Sequence, residues 1–301
     1  MWHLASGIWH LICFLRMKPF IDAHIHIQPW NMMKPEIRER MSRSRSDMDV
    51  IQRVMDSPVE MLKHMDREGV ERAALINYVS PHIMGFTEDV NEYVSRYSSE
   101  NPARLISFGS IDPGKKTGQE KRIDHLLGRL RLQGIKIHPS HQTVFPNDYL
   151  NDNESLRYLY VRCEQEGIPV MIHTGTSIFV GARNRFADPI YVDDVAVDFP
   201  RLKVILAHGG RPLWMSTCLF LVRRFPNVWM DISSIPPSKV LEYFPRLEEL
   251  ADKVLFGTDW PAPMVRGMRE NFEMFDQLPL SAQTREKISR TNAHTLFKTR
   301  T

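Results

Sequence analysis

Eight short apolar runs rich in β-forming residues punctuate this chain, and stretches with helical periodicity separate each from the next. The runs are Phe20 to Ile27, Arg72 to Tyr78, Leu105 to Ser110, Gly134 to His138, Pro169 to His173, Lys203 to His208, Val228 to Ile232 and Lys253 to Asp259. Strand and helix in alternation make βαβ units around a parallel sheet, and eight such units close a barrel. The expected fold is therefore α/β, a slightly distorted TIM (β/α)8 barrel. A chain of 301 residues holds one such barrel of about 250 residues with extensions to spare.

Local signals agree with that alternation. Ser57-Pro58-Val59-Glu60 reads as a helix start, with Ser57 as cap, Pro58 in the first turn and Glu60 completing a capping box; the helix ends near Gly69. Between Asn153 and Glu166, Leu156, Leu159, Tyr160 and Cys163 recur at helical spacing, and Gly167 suits the left-handed position that follows a helix. Residues 29–57 carry no strand signal and are long for a connection, so they are expected to form an insertion after the first strand, over the barrel mouth. No repeat, low-complexity tract or Pro/Gly linker marks a second domain, and residues 17–301 read as one.

Composition removes several classes of function. With 43% hydrophobic and 25% charged residues the chain can bury a large core, which excludes disordered and fibrous classes. A net charge of +3 with scattered Lys and Arg is too mild for a nucleic-acid surface. The one dense basic stretch, Arg38 to Arg53, is interleaved with Glu39, Asp47 and Asp49 and reads as a solvated face. Cys13, Cys163 and Cys218 are far apart and show no CxxC spacing, which fits a reducing, cytoplasmic setting.

Residues 1–16 form an apolar stretch shorter than the roughly 20 residues of a membrane span, without the basic head or small-residue cleavage site of a signal peptide. They read as an N-terminal extension, with Met17, just ahead of Lys18-Pro19-Phe20, as the expected translation start. No membrane association is expected.

Chemistry concentrates where the runs end. In Asp22-Ala23-His24-Ile25-His26, period-two geometry turns His24 and His26 to one face, where two imidazoles can reach one divalent cation at about 2.1 Å. His173 ends the fifth run, His208 opens His208-Gly209-Gly210 after the sixth, and Asp259 ends the eighth in Gly257-Thr258-Asp259-Trp260-Pro261. The C-terminal ends of barrel strands converge on one rim, where barrel enzymes place their catalytic groups. Burying so many polar groups without partners would cost a few kcal/mol each, and a shared metal ion removes that cost.

Taken together these motifs resemble the amidohydrolase superfamily. Gly134-Ile135-Lys136-Ile137-His138-Pro139, Phe145-Pro146-Asn147-Asp148 and Val254-Leu255-Phe256-Gly257-Thr258-Asp259 resemble, more narrowly, its amidohydrolase-related branch, which includes aminocarboxymuconate semialdehyde decarboxylase and aromatic acid decarboxylases. The resemblance runs from Met17 to Phe297 and includes Asn292-Ala293-His294-Thr295-Leu296-Phe297. It implies that His24, His26, His173 and Asp259 ligate one divalent ion, zinc first and Mn, Co or Fe as alternatives, while His208 stands beside the bound water or substrate. Nitrogen and carboxylate donors suit such ions, and an open coordination position makes hydroxide available near neutral pH. Asp259 is then the expected general acid/base, and His208 the residue that orients the nucleophile or steadies charge on a substrate oxygen.

Lys136 shares the fourth run with His138 and projects to the same side. In some amidohydrolases a lysine here is carbamylated and bridges two metals; the branch resembled is generally mononuclear, so Lys136 is expected to hold an anion or a salt bridge rather than a second metal, and Lys136 and His138 are expected substrate contacts. Arg183, Arg185, Arg211 and His141 follow strand ends, and Arg183 or Arg211 can hold a substrate carboxylate bidentately. Trp30, Phe179, Trp214 and Trp260 are candidates to line an apolar pocket, with Trp260 the expected substrate contact.

The leading expectation is hydrolysis of a small carboxylate-bearing substrate by metal-activated water. Non-oxidative decarboxylation, with Asp259 delivering a proton to carbon, is the close rival and uses the same ligands. A non-catalytic metal-binding barrel is a third reading, under which Asp259→Asn changes no activity. The expected partner is a small-molecule substrate, and a homodimer is an expectation of the resemblance alone.

Overall fold

The computed structural model describes residues 17–43 and 45–297. The extension expected over residues 1–16, with its apolar run and Cys13, lies outside the described residues. The eight runs all hold strands: β1 (Phe20–Ile25), β2 (Val70–Ile76), β3 (Leu105–Gly109), β4 (Gly134–Ile137), β5 (Val170–His173), β6 (Val204–Ala207), β7 (Val228–Asp231) and β8 (Val254–Leu255). They form one parallel sheet in sequence order.

β8 pairs with β7 over two residues only, yet the chain beyond it closes the barrel against β1. Ala23 N donates to Phe256 O (2.9 Å), Asp259 N to His24 O (2.7 Å) and His26 N to Trp260 O (2.7 Å). Gly257 makes that approach possible, because a Cβ there would lie 2.9 Å from the Cβ of His24. The distortion sits in β1. Its pairing with β2 shifts register between Asp22 and Ile25. Ala23 packs in one apolar cluster with Ala74, Met171, Ile205 and Leu255, whereas Ile25 packs in the other with Phe20 and Leu75. The alternation therefore slips by one residue at an irregularity that spans the first histidine, which is how a barrel edge re-aims side chains.

The smaller cluster is the barrel interior. It is floored by Ala293, Leu296 and Phe297 from the C-terminal helix, with the Phe297 ring edge-on to Phe108 at 5.7 Å. The larger cluster lies between the sheet and its helices. With the bottom plugged by apolar side chains, polar groups have only the opposite rim to occupy.

The insertion holds two helices, α1 (Pro35–Ser42) and α2 (Met48–Asp56), before α3 (Pro58–Glu68). Ser57 caps α3 by accepting from Glu60 N; the carboxylate of Glu60 takes Lys63 Nζ at 2.8 Å, so the reciprocal half of the expected capping box is given to a salt bridge. Arg45 departs from the solvated reading of its basic stretch. Its side chain is 4% exposed, pairs with Asp47, and donates to the carbonyls of Pro261, Ala262 and Val265, which bolts the insertion to the loop after β8. The helix α4 (Glu154–Glu166) begins and ends as expected, with Asn153 accepting from Leu156 N and Gly167 at φ 67°. Among the described residues no helix is long and apolar enough to cross a membrane.

Candidate active site

The strand ends bring His24, His26 and Asp259 together, with one donor atom from each within 4.8 Å of the others. Asp259 Oδ1 lies 3.0 Å from His26 Nε2 and 3.5 Å from His24 Nε2. The opposite ring nitrogens are already committed. His26 Nδ1 faces the Ile76 carbonyl (3.0 Å) and must carry its proton to bond there, while His24 Nδ1 faces Asp231 Oδ2 (2.9 Å). Imidazole Nε2 lone pairs thus point at a carboxylate oxygen, an arrangement that repels unless a cation or proton lies between. His24 Nε2, His173 Nε2 and Asp259 Oδ1 are all buried without a hydrogen-bond partner. These orphaned atoms fit a divalent cation, and three nitrogens with one carboxylate oxygen are a donor set that zinc, manganese, cobalt or iron accepts.

His173 does not join the set of donor atoms within 4.8 Å of one another. Its ring stacks on His138 at 3.9 Å and stands edge-on to His208 at 4.8 Å. The His208 ring lies 4.7 Å from that of His24, with Nδ1 fixed by Ser233 Oγ (2.8 Å). Both His208 (φ 67°) and Asp259 (φ 69°) sit in left-handed backbone, which non-glycine residues adopt at some cost where the surroundings demand it.

Two buried aspartates escape a motif search. Asp231 ends β7 and accepts from His24, from His208 N (3.0 Å) and from Ser233 N (3.0 Å), so one carboxylate positions two site histidines. It too closes an apolar run, the signal that marks His173 and Asp259. Asp22 accepts from His24 N (3.1 Å) and from Thr258 N (3.0 Å) and Oγ1 (2.6 Å), tying the first histidine to the segment that carries Asp259. Burial pushes the Asp22 carboxyl up to about 7.

Electrostatics keep the donors in metal-ready form. Burial holds the His24 imidazole below its ordinary range and those of His173 and His208 well below it. Burial pushes Asp259 up, but the closely approaching His26 and the nearby His24 and Arg211 outweigh it and leave the carboxyl well below the usual carboxylate range. Lys136 is buried with Nζ unpartnered, and burial pulls its ammonium down to about 8 against the attraction of Asp231 and Asp259.

These groups open on a cavity of about 680 Å³. Lys136, His138, His141, His173, His208, Arg211 and Asp259 line it, as do Trp30 and Phe179. Arg211 Nη2 donates to Ser234 Oγ (2.6 Å) while its buried Nε has no partner. Arg183 and Trp260 stand elsewhere. The Arg183 amide anchors the loop on the Ser140 carbonyl (2.8 Å), which leaves its side chain in solvent. Trp260 is 1% exposed behind Asp259, its ring 5.3 Å from His64, because the residue after a left-handed Asp259 turns back into the core. Neither Arg183, Trp214 nor Trp260 lines the cavity.

Comparison with known proteins agrees with this geometry. Residues 21–299 match the amidohydrolase family model. A gamma-resorcylate decarboxylase from Rhodococcus jostii (strain RHA1) is 30% identical over 299 residues, spanning 82% of this chain and 89% of that protein. Among solved structures, an uncharacterized TIM-barrel protein from Bordetella bronchiseptica superposes with a TM-score of 0.72 at 24% identity, over 93% of this chain and 98% of that one. A dihydroxybenzoic acid decarboxylase from Polaromonas sp. JS666, bound to manganese and the inhibitor 2-nitroresorcinol, gives a TM-score of 0.67 at 16% identity over 94% and 97%. Strand-end histidines, a rim aspartate and a match across nearly the whole barrel lead to one assignment: the chain belongs to the amidohydrolase family.

Proposed function

We propose that the protein is a metal-dependent, non-oxidative decarboxylase of a hydroxylated aromatic carboxylic acid. Hydrolysis, the leading expectation from sequence, yields to its rival because the Rhodococcus relative that spans 82% of the chain is a decarboxylase. The site agrees with an acidic substrate: the cationic side chains of Lys136 and Arg211 stand beside the metal-site groups in a cavity whose lining is more apolar than polar.

His24, His26, His173 and Asp259 would hold one divalent ion, with manganese taken beside zinc because the Polaromonas neighbour binds manganese. When bound, such an ion supplies a Lewis acid that fixes substrate oxygens and draws charge from the ring. Lys136 and Arg211 hold the carboxylate in place. Ser233 takes His208 Nδ1, so Nε2 is the atom left to accept from a substrate hydroxyl. Asp259 takes the proton of a ring hydroxyl and returns it to the ring carbon bearing the carboxylate. The bond from that carbon to the carboxylate then breaks, CO₂ leaves, the ring regains aromaticity as a phenolate, and solvent reprotonates it. Trp30 and Phe179 keep bulk water from the ring face. The wide spacing of the cysteines, with Cys163 and Cys218 buried, supports a reducing, cytoplasmic setting.

The deciding assay incubates metal-loaded protein with 2-hydroxybenzoate, 2,6-dihydroxybenzoate and a panel of aryl esters and lactones, following CO₂ and hydrolysis separately. Release of CO₂ from a hydroxybenzoate is the expected result. Hydrolysis with no CO₂ from any acid would return the assignment to the hydrolase reading.

A further inference from the structure

The cavity is larger and more apolar than a simple hydroxybenzoate requires. Such an acid has about ten non-hydrogen atoms; even at the roughly 30 Å³ that a molecule of liquid water occupies, it fills about half of 680 Å³. Polar groups such as Arg266, Glu270 and Asn271 line part of the remaining space, but most of its lining is apolar. Trp30, Met84, Ile235 and Val265 face the cavity while being at most 5% exposed, so they form its walls. At its mouth Ile178 is 61% and Met264 90% exposed. These six residues come from the segments after five different strands, and apolar side chains converging from five loops on one passage are not the scattered exposed residues of an ordinary surface. The passage is also held open. Arg45 bonds to three carbonyls of the loop that carries Val265 and Met264, fixing that loop to the insertion that carries Trp30.

We infer that the substrate carries an apolar substituent, an alkyl chain or second ring, which runs from the aromatic acid along these walls to the mouth. This rests on the decarboxylase reading for the acid end only. The cationic and metal-site groups take the head, the buried walls take the first carbons of the substituent, and Ile178 and Met264 take its end. A second copy of the chain seated over the mouth is the competing explanation for the exposed pair, and it leaves the buried walls without an occupant.

Calorimetric titration of zinc- or manganese-loaded protein tests this with 2-hydroxybenzoate and its 4-alkyl and 6-alkyl homologues from methyl to hexyl, CO₂ being followed in parallel. In at least one series Kd is expected to fall by roughly three- to fourfold per added methylene over the first carbons, and Ile178→Glu and Met264→Glu flatten the slope for the longer chains. A Kd that is constant or rises with chain length in both series overturns the inference, and CO₂ from the short acids in that case leaves the decarboxylase reading standing. A steep slope with no CO₂ from any homologue supports the apolar passage and overturns the decarboxylase reading instead.

Discussion

Asp259 combines a ligand's duty with a proton carrier's, and its neighbours carry only one duty each, so single substitutions separate the two. Asp259→Asn keeps the side chain's shape and removes its ability to take and return a proton; kcat is expected to drop by about 10²- to 10⁴-fold, measured as CO₂ release at saturating metal. Unchanged turnover in that variant would take the proton-carrying role away from Asp259. Asp231 touches two site histidines, and Asp231→Asn is expected to weaken metal binding by about 10- to 100-fold, read by competition with a chelator. Lys136 gives a pH signature. Its folded-state pKa lies near 8, so it is charged below that pH and neutral above it. KM for an acidic substrate should therefore rise as pH passes through about 8, and Lys136→Gln should start with a high KM that lacks this inflection. At this scale the sequence speaks where a polar residue ends an apolar run, as at His173 and Asp259. It is silent for Arg183 and Trp260, because whether a side chain turns into the cavity or away from it is decided by one backbone angle beside it, and the left-handed turn at Asp259 is invisible in a string of letters.

At the scale of elements, strand existence was readable because buried parallel strands need nearly continuous apolar runs, whereas the irregularity in β1 and the two-residue β8 were not, since both are set by a partner strand. Gly257 reports on that hidden closure. A Cβ there would lie 2.9 Å from His24 Cβ and 3.1 Å from His24 N, so Gly257→Ala must push β1 and the segment after β8 apart. A loss of about 1–3 kcal/mol in denaturant unfolding is expected, together with weaker metal binding, because the displaced atoms belong to a ligand. The insertion was readable as an insertion but not as a wall, since its grip depends on Arg45 finding carbonyls more than two hundred residues away. Arg45→Ala should raise KM with little change in unfolding midpoint; a large drop in midpoint with unchanged KM would instead make Arg45 a strut of the fold alone.

The molecule as a whole divides its barrel between two duties. One end is closed by apolar side chains from the C-terminal helix, and the other gathers imidazoles and carboxylates whose lone pairs face one another. The first end supplies stability whatever is bound. The second costs stability until a cation fills it, because buried polar atoms without partners are expensive and like-signed lone pairs repel. Metal content should therefore govern stability as well as activity. A ligand that binds only the folded state adds about 4 kcal/mol when present at a thousand times its Kd, and at about 2 °C per kcal/mol for a domain this large that is a rise in Tm of about 8 °C. Protein stripped with a chelator should melt lower by that order and recover on adding zinc or manganese but not magnesium, whose preference for an all-oxygen shell does not match three imidazoles. The same titration in His24→Ala should show no recovery, since the variant loses the ligand on which both Asp231 and Asp259 converge. Full recovery in that variant would mean that the stabilising ion sits elsewhere, and the rim would have to be explained without it.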